Sequence, residues 1–248
     1  MINPNAILEI NSKNLIKNYE TISKYSNKSL TGAVIKANAY GLGDIEIYKK
    51  LYNAGCRNFF LATLNEAIDI RKKYLSSNLY VLNGLENNKL SKFYDYNIIP
   101  ILNSIEELEL YLSSKYFDKN KKIGLQIDTG LNRLGIQIKK LIKKELKNIN
   151  LFILVSHFSS SEEKSNIYNF LQNKKFKTIF NLFKSIKYIS LSNSAGILNN
   201  KEFHYNLTRP GIFLYGGYQY KRLKKTLRIK PVIKLKAKIL QIKEIGAN

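Results

Sequence analysis

Lys36 stands where the apolar run Ala33-Val34-Ile35 gives way to a loop carrying Tyr40, Gly41 and Gly43. An ammonium at the end of a buried strand is costly unless it is paired or discharged. The side chain can snorkel so that its head stays in water, or its amine can serve as a nucleophile in Schiff-base chemistry. Position alone favours the first. Four further stretches carry reactive or anion-binding groups. Gln126-Ile127-Asp128-Thr129-Gly130-Leu131-Asn132-Arg133-Leu134-Gly135 places Arg133 in a loop, where the plain reading is an ion pair with Asp128. Ser156-His157-Phe158 puts a histidine at a strand end, most often a structural hydrogen-bonding position. Ser192-Asn193-Ser194-Ala195-Gly196 and Thr208-Arg209-Pro210-Gly211-Ile212 supply a hydroxyl and glycines that let backbone N–H groups approach a phosphate.

What positions these residues is a regular alternation. Apolar, strand-like runs recur at 33–35, 59–62, 79–82, 98–102, 123–127, 151–155, 188–191 and about 205–208, with a helix-like segment in each of the seven intervals. Thr63-Leu64-Asn65-Glu66 and Ser104-Ile105-Glu106-Glu107 read as capping boxes. Asp44 opens an amphipathic stretch with Ile45, Tyr48, Leu51 and Tyr52 on one face, and Gly55 is its C-terminal stop. Eight strands alternating with helices predict a (β/α)8 barrel, an α/β fold. A doubly wound open sheet is the alternative, and no G-x-G-x-x-G opens a first βα turn. In such a barrel reactive groups lie at the C-terminal ends of the strands, and the loops after strands seven and eight recurrently bind phosphate. Every residue singled out above falls at such an end.

Ahead of the barrel, Ala6 to Ile10 reads as a strand and Ser12 as the cap of a helix with Leu15, Ile16, Tyr19 and Ile22 on one face. Beyond Tyr220, Pro231 to Ile245 alternates in part with period two, as a strand does. The expected divisions are 1–27 leading in, a barrel over 28–225, and the first strand of another, truncated domain over 226–248.

V-I-K-A-N-A-Y-G-L-G around Lys36 resembles the pyridoxal phosphate lysine motif of alanine racemases. D-T-G-L-N-R-L-G, S-H-F, N-S-A and R-P-G-I-F-L-Y-G resemble that family's further motifs, in the same order. The resemblance implies a PLP-dependent racemase acting on alanine, with Lys36, Arg209 and His157 as its catalytic set. Lys36 would carry the cofactor, Tyr40 would bind its phosphate, and Asn193, Ser194, Gly211 and Ile212 would complete the phosphate site. Arg133 would contact the cofactor's phenolic oxygen and the substrate carboxylate. His157 would sit in the network near the pyridine ring, and Arg209 would face the ring nitrogen and keep it unprotonated. Many members carry a lysine, carbamylated in some, seven residues before the arginine; here Gln126 stands there, able to hold a guanidinium by a hydrogen bond but without charge. The resemblance also implies a homodimer, and an all-β domain that supplies a second acid–base tyrosine not found in this sequence. The alternative is a barrel that holds PLP without racemising.

The 248 residues suffice for one large core. Thirty-five Lys against six Arg give most of the +23 charge. Because phosphate forks and guanine edges are read mainly by Arg, this is a lysine-coated surface, with no specific nucleic-acid partner expected. No apolar run approaches the roughly 20 residues of a membrane span, and one cysteine, Cys56, allows neither an intrachain disulfide nor a metal site of several thiolates. No metal and a cytoplasmic location are expected.

Overall fold

In the computed structural model the predicted alternation closes on itself. It describes residues 5–26, 28–116, 121–142, 151–180, 182–183, 185–218 and 226–246. The first stave is split between β2 (Leu30–Thr31) and β3 (Ala33–Val34). Then follow β4 (Asn58–Leu61), β5 (Asn78–Val81), β6 (Ile99–Leu102), β7 (Ile123–Asp128), β9 (Leu151–Val155), β10 (Ile186–Ser190) and β11 (Leu207–Thr208). A short β8 (Ile136–Gln137) lies beside the end of β7. Each stave pairs in parallel with the next from β3 to β10, and β11 pairs in parallel with β2. The seam between β10 and β11 is sewn by side chains: Asn206 Oδ1 accepts from Ile189 N–H, and Ser190 Oγ donates to the Leu207 carbonyl. This is the barrel, and not the open sheet.

Inside it, Val34, Phe60, Tyr80, Ile101, Ile153 and Val155 pack as one cluster. Phe60 stacks on Tyr80 with centroids 4.5 Å apart, and the Tyr80 hydroxyl donates to Asn58 Oδ1 at 2.8 Å. Burying a ring of this size contributes about 1.5–3 kcal/mol, so the barrel floor is a rigid platform.

The helices are those the caps announce. Thr63 caps α4 (Leu64–Arg71) in a full capping box with Glu66. Ser104 caps α6 (Ile105–Ser113), but Glu107 reaches one residue further than the box requires and accepts from Asn103 N–H at 2.7 Å. α3 (Asp44–Asn53) buries Ile47, Tyr48 and Leu51, and Gly55 follows it at φ +98°. α1 (Ser12–Tyr25) is capped by Asn11, not Ser12: the Asn11 side chain accepts from Asn14 N–H at 2.9 Å, and Ser12 is the first helical residue. Buried Asn18 replaces Ile16 on the inner face, since its amide bonds the Leu214 and Lys230 carbonyls and Lys230 N–H.

The two flanking strands meet each other. β1 (Ala6–Ile10) pairs antiparallel with β12 (Ile233–Ala237), from Ala6 opposite Ala237 to Ile10 opposite Ile233, and both are exposed along their length. The period-two stretch expected to reach Ile245 is thus a strand only over its first part. No helix among the described residues is long and apolar enough to cross a membrane.

Candidate active site

At the C-terminal ends of the staves a cavity of about 510 Å³ opens, lined by Lys36, Tyr40, Arg133, His157, Asn193, Ser194, Arg209, Gly211 and Ile212, together with Val34, Leu82, Asn83, Gln126, Leu134 and Ala195. All nine residues singled out from sequence are brought together. Among the described residues the lining holds three cationic side chains and no carboxylate, a balance that favours an anion.

Lys36 enters from the end of β3. Ile35 N–H donates to the Phe60 carbonyl at 2.9 Å, so the strand is pinned until the residue before the lysine. The next segment, α2 (Lys36–Gly41), winds the wrong way: Ala37, Asn38, Ala39 and Tyr40 have φ of 54°, 52°, 53° and 57°. Left-handed backbone costs a residue with a Cβ roughly 1–2 kcal/mol, and four in succession mark a segment held by its surroundings. Asn38 Oδ1 accepts from Asp44 N–H at 3.0 Å, and Glu66 Oε1 accepts from Ala37 N–H at 2.8 Å. The turn leaves Lys36 half-buried and Tyr40 ring-to-ring with Tyr215, centroids 5.0 Å apart.

Opposite lies a cluster of hydroxyl and backbone groups. Asn193 caps α9 (Ser194–Asn199) by accepting from Gly196 N–H at 2.9 Å. Ser194 Oγ accepts from Gly211 N–H at 2.9 Å and Phe213 N–H at 3.4 Å. A serine hydroxyl has two acceptor lone pairs and one donor hydrogen, so its free group is the donor. A Cβ at Gly211 would stand 2.4 Å from the Tyr40 hydroxyl. Glycine is therefore required there by close approach.

Arg209 is buried across the barrel mouth. Its guanidinium donates to Ser190 Oγ at 2.5 Å and to the Ser156 carbonyl at 2.6 Å, and its carbon lies 5.8 Å from the Phe60 ring centre. Burial pulls its pKa down to about 10, which still leaves it charged at neutral pH. His157 is half-buried beside it, with Nε2 3.3 Å from Asn193 Nδ2. Burial first, then the positive charges of Arg209, Arg133 and Lys36, push the imidazole down to about 3. It is a neutral hydrogen-bonding group at physiological pH.

The Arg133 loop departs from its plain reading. Asp128 Oδ1 accepts from Gly130, Leu131 and Asn132 N–H at 2.9–3.1 Å, so the carboxylate shapes the loop. Gln126 donates to the Leu134 carbonyl at 3.0 Å, fixing the backbone next to Arg133 and not its guanidinium. Arg133 itself is exposed at the cavity wall.

Sequence reasoning missed Asn83, Ser190 and Tyr215. Asn83 follows an apolar run directly, the signal that could have found it. Ser190 and Tyr215 matter only through the partners the fold gives them.

The family described as alanine racemase, N-terminal domain, matches residues 10–219. Among curated relatives, alanine racemase of Rickettsia canadensis is 39% identical over 219 residues, covering 84% of this chain and 61% of the relative. That of Rickettsia bellii is 40% identical over 202 residues, 78% of this chain and 49% of the relative. The chain thus spans about half to three-fifths of the length of these relatives. Among solved structures, alanine racemase from Bartonella henselae with covalently bound pyridoxal phosphate superposes with a TM-score of 0.86 at 32% identity, covering 97% of this chain and 71% of that one. Alanine racemase of Clostridium difficile 630 gives a TM-score of 0.86 at 27% identity, covering 98% and 71%. With the matched residues spanning the barrel from α1 to the loop after β11, the chain belongs to the alanine racemase N-terminal domain family.

Proposed function

We propose that the chain binds pyridoxal phosphate through Lys36 and takes part in interconverting L- and D-alanine. The observation that carries this reading is the convergence of Lys36, Arg133 and Arg209 with the Ser194–Gly211–Tyr40 cluster on one cavity that has no carboxylate among its described lining residues. The donor set fits the cofactor. A phosphate needs donors, and the Ser194 and Tyr40 hydroxyls offer them, while Gly211, without a Cβ, leaves room for close approach. A related structure holds pyridoxal phosphate covalently.

When bound, pyridoxal phosphate supplies an aldehyde that takes up an amino group and a ring that spreads negative charge from the substrate Cα. The chain's own residues do the rest. Tyr40, Asn193, Ser194, Gly211 and Ile212 anchor the phosphate end. Arg209, charged and fixed by Ser190 and Ser156, would hold the pyridine end of the ring and keep its nitrogen from taking a proton. Neutral His157 orders the polar network beside it without competing as a base. Arg133 holds the substrate carboxylate with a planar, permanently charged fork. Lys36 moves the proton at Cα on its own face.

Racemisation needs a proton removed from one face of Cα and returned on the other, hence two acid–base groups. Of the residues lining the cavity, we assign proton transfer to Lys36 alone. The second group is the tyrosine that the family resemblance implies, in an all-β domain supplied across a homodimer. The sparse acid–base lining also favours a second reading, a barrel that holds the cofactor without racemising. The two separate in heavy water with pyridoxal phosphate. If Lys36 serves the D face, D-alanine exchanges its α-proton faster than L-alanine, with little net inversion. Exchange from neither enantiomer supports the holding barrel. Equal, fast exchange from both would mean that another residue of this chain is the second base. We also read the protein as cytoplasmic, in keeping with Cys56 as a buried free thiol.

A further inference from the structure

We propose that Glu66 is the positioning residue for Lys36, a role that rests on the reading of Lys36 as the cofactor lysine. A capping box asks of its glutamate only the N–H of the cap residue. Glu66 does more. Its Oε2 accepts from Thr63 N–H at 3.3 Å and from Ala62 N–H at 2.8 Å, while Oε1 crosses to the neighbouring loop and accepts from Ala37 N–H at 2.8 Å. The peptide so gripped joins Lys36 to the first of four left-handed residues. Upstream, Ile35 N–H is held by the Phe60 carbonyl. The lysine backbone is therefore fixed on both sides, by the adjacent stave before it and by the carboxylate after it.

The turn's own bonds do not replace this anchor. Ala39 N–H donates to the Ile35 carbonyl and Gly43 N–H to the Asn38 carbonyl, but Ala37 N–H points away from the turn and meets the carboxylate. A strained turn persists only where the surroundings over-determine it; Tyr40 packs its far end against Tyr215, and Glu66 ties its first peptide, next to Lys36, to the neighbouring loop. Two loops further round, Glu107 repeats the geometry at the third position of α6. Its carboxylate accepts from Asn103 N–H and lies against Gly84 in the preceding loop, where a Cβ would stand 2.4 Å from Oε1. That copy holds no lysine, which makes it an internal control.

The role separates from ordinary helix capping by substitution. In Glu66→Gln one oxygen becomes an NH₂ that cannot accept; the remaining oxygen satisfies two N–H groups at Ala62 and Thr63 but only one at Ala37, so Ala37 is the group that loses its partner. Amide hydrogen exchange by NMR, without cofactor, should then quicken at Ala37 at least tenfold while the amides of β5 and β6 keep their protection. With pyridoxal phosphate and borohydride, labelling at Lys36 should slow at least tenfold while labelling at exposed Lys17 is unchanged. Glu107→Gln should move the Asn103 amide and leave both Lys36 readouts alone. Ala37→Gly, which removes the left-handed penalty at that residue, should restore part of the Lys36 labelling lost in Glu66→Gln. Should Glu66→Gln not fold, Glu66→Asp keeps the charge and the local cap but is a methylene short of Ala37, and the same losses are expected. Unchanged Ala37 exchange and Lys36 labelling, or equal losses in Glu107→Gln, would overturn the role. If wild-type Lys36 takes no label, the cofactor reading fails instead, and exchange at Ala37 still decides whether Glu66 holds the turn.

Discussion

The Tyr40 hydroxyl lies over Gly211 so closely that a Cβ there would stand 2.4 Å from it, although the two residues are far apart in sequence and belong to the first and last βα loops of the barrel. The contact closes the ring of loops on the side where an anion is expected. Gly211→Ala should therefore displace the phenol and weaken pyridoxal phosphate binding about tenfold or more, near 1.4 kcal/mol, with little change in melting temperature. Tyr40→Phe removes the obstructing oxygen, so the alanine should cost less in that background. A titration of cofactor fluorescence across the four proteins reads the coupling, and strict additivity would mean that the two residues do not share the phosphate.

Arg209 offers a second test, on stability. Its guanidinium satisfies Ser190 Oγ and the Ser156 carbonyl inside the barrel mouth. Arg209→Lys keeps the charge but has no planar fork to reach both. One of the two oxygens is then left buried without a donor, at a cost of about 1–3 kcal/mol. Urea unfolding should show that loss with an unchanged denaturant slope.

His157 should make stability depend on pH. Its folded pKa, about 3, lies below its ordinary value of 6.5. As pH falls through 6.5 the unfolded chain takes up a proton that the folded chain refuses, so this contribution is complete above about 6.5 and is lost progressively toward 3. The slope should reach about 1.4 kcal/mol per pH unit in that window. His157→Gln should flatten it in the cofactor-free protein, and an unchanged slope would place the acid sensitivity elsewhere.

Cys56 is fully buried, its Sγ 3.4 Å from the Asn58 carbonyl, and burial pushes its thiol up to about 12. Thiolate is the reactive form. Alkylation at pH 8 should accordingly be at least a hundredfold slower in the folded protein than in urea, followed by mass.

Most of this architecture was legible because the signals were local. Apolar runs of strand length, Thr63 and Ser104 three residues ahead of glutamates, and Gly55 after an amphipathic stretch each report on their own neighbourhood. The nine site residues followed from the resemblance of their motifs to a known family, which agreed with their place at strand ends. What escaped depends on local backbone geometry and on which partner each polar side chain takes, neither of which residue type announces. Asn11 caps α1 in place of Ser12, because the backbone geometry at Asn11 and not residue type alone selects the cap. Gln126 turns to the Leu134 carbonyl, and Asp128 is occupied by backbone N–H groups, so neither pairs with Arg133 as expected. The left-handed turn of Ala37–Tyr40 carries one weak signal, Asn38, since neither alanine nor tyrosine favours positive φ. It became visible only with Glu66 reaching across from the next loop.

The site of covalent capture is the most direct test of the whole reading. Wild-type protein is incubated with pyridoxal phosphate, reduced with borohydride, digested and mapped by mass spectrometry against all 35 lysines. One dominant modified residue, Lys36, accompanied by a visible absorption band before reduction, is the expected result. Label spread over the surface lysines, or concentrated on a lysine outside the cavity, would contradict it.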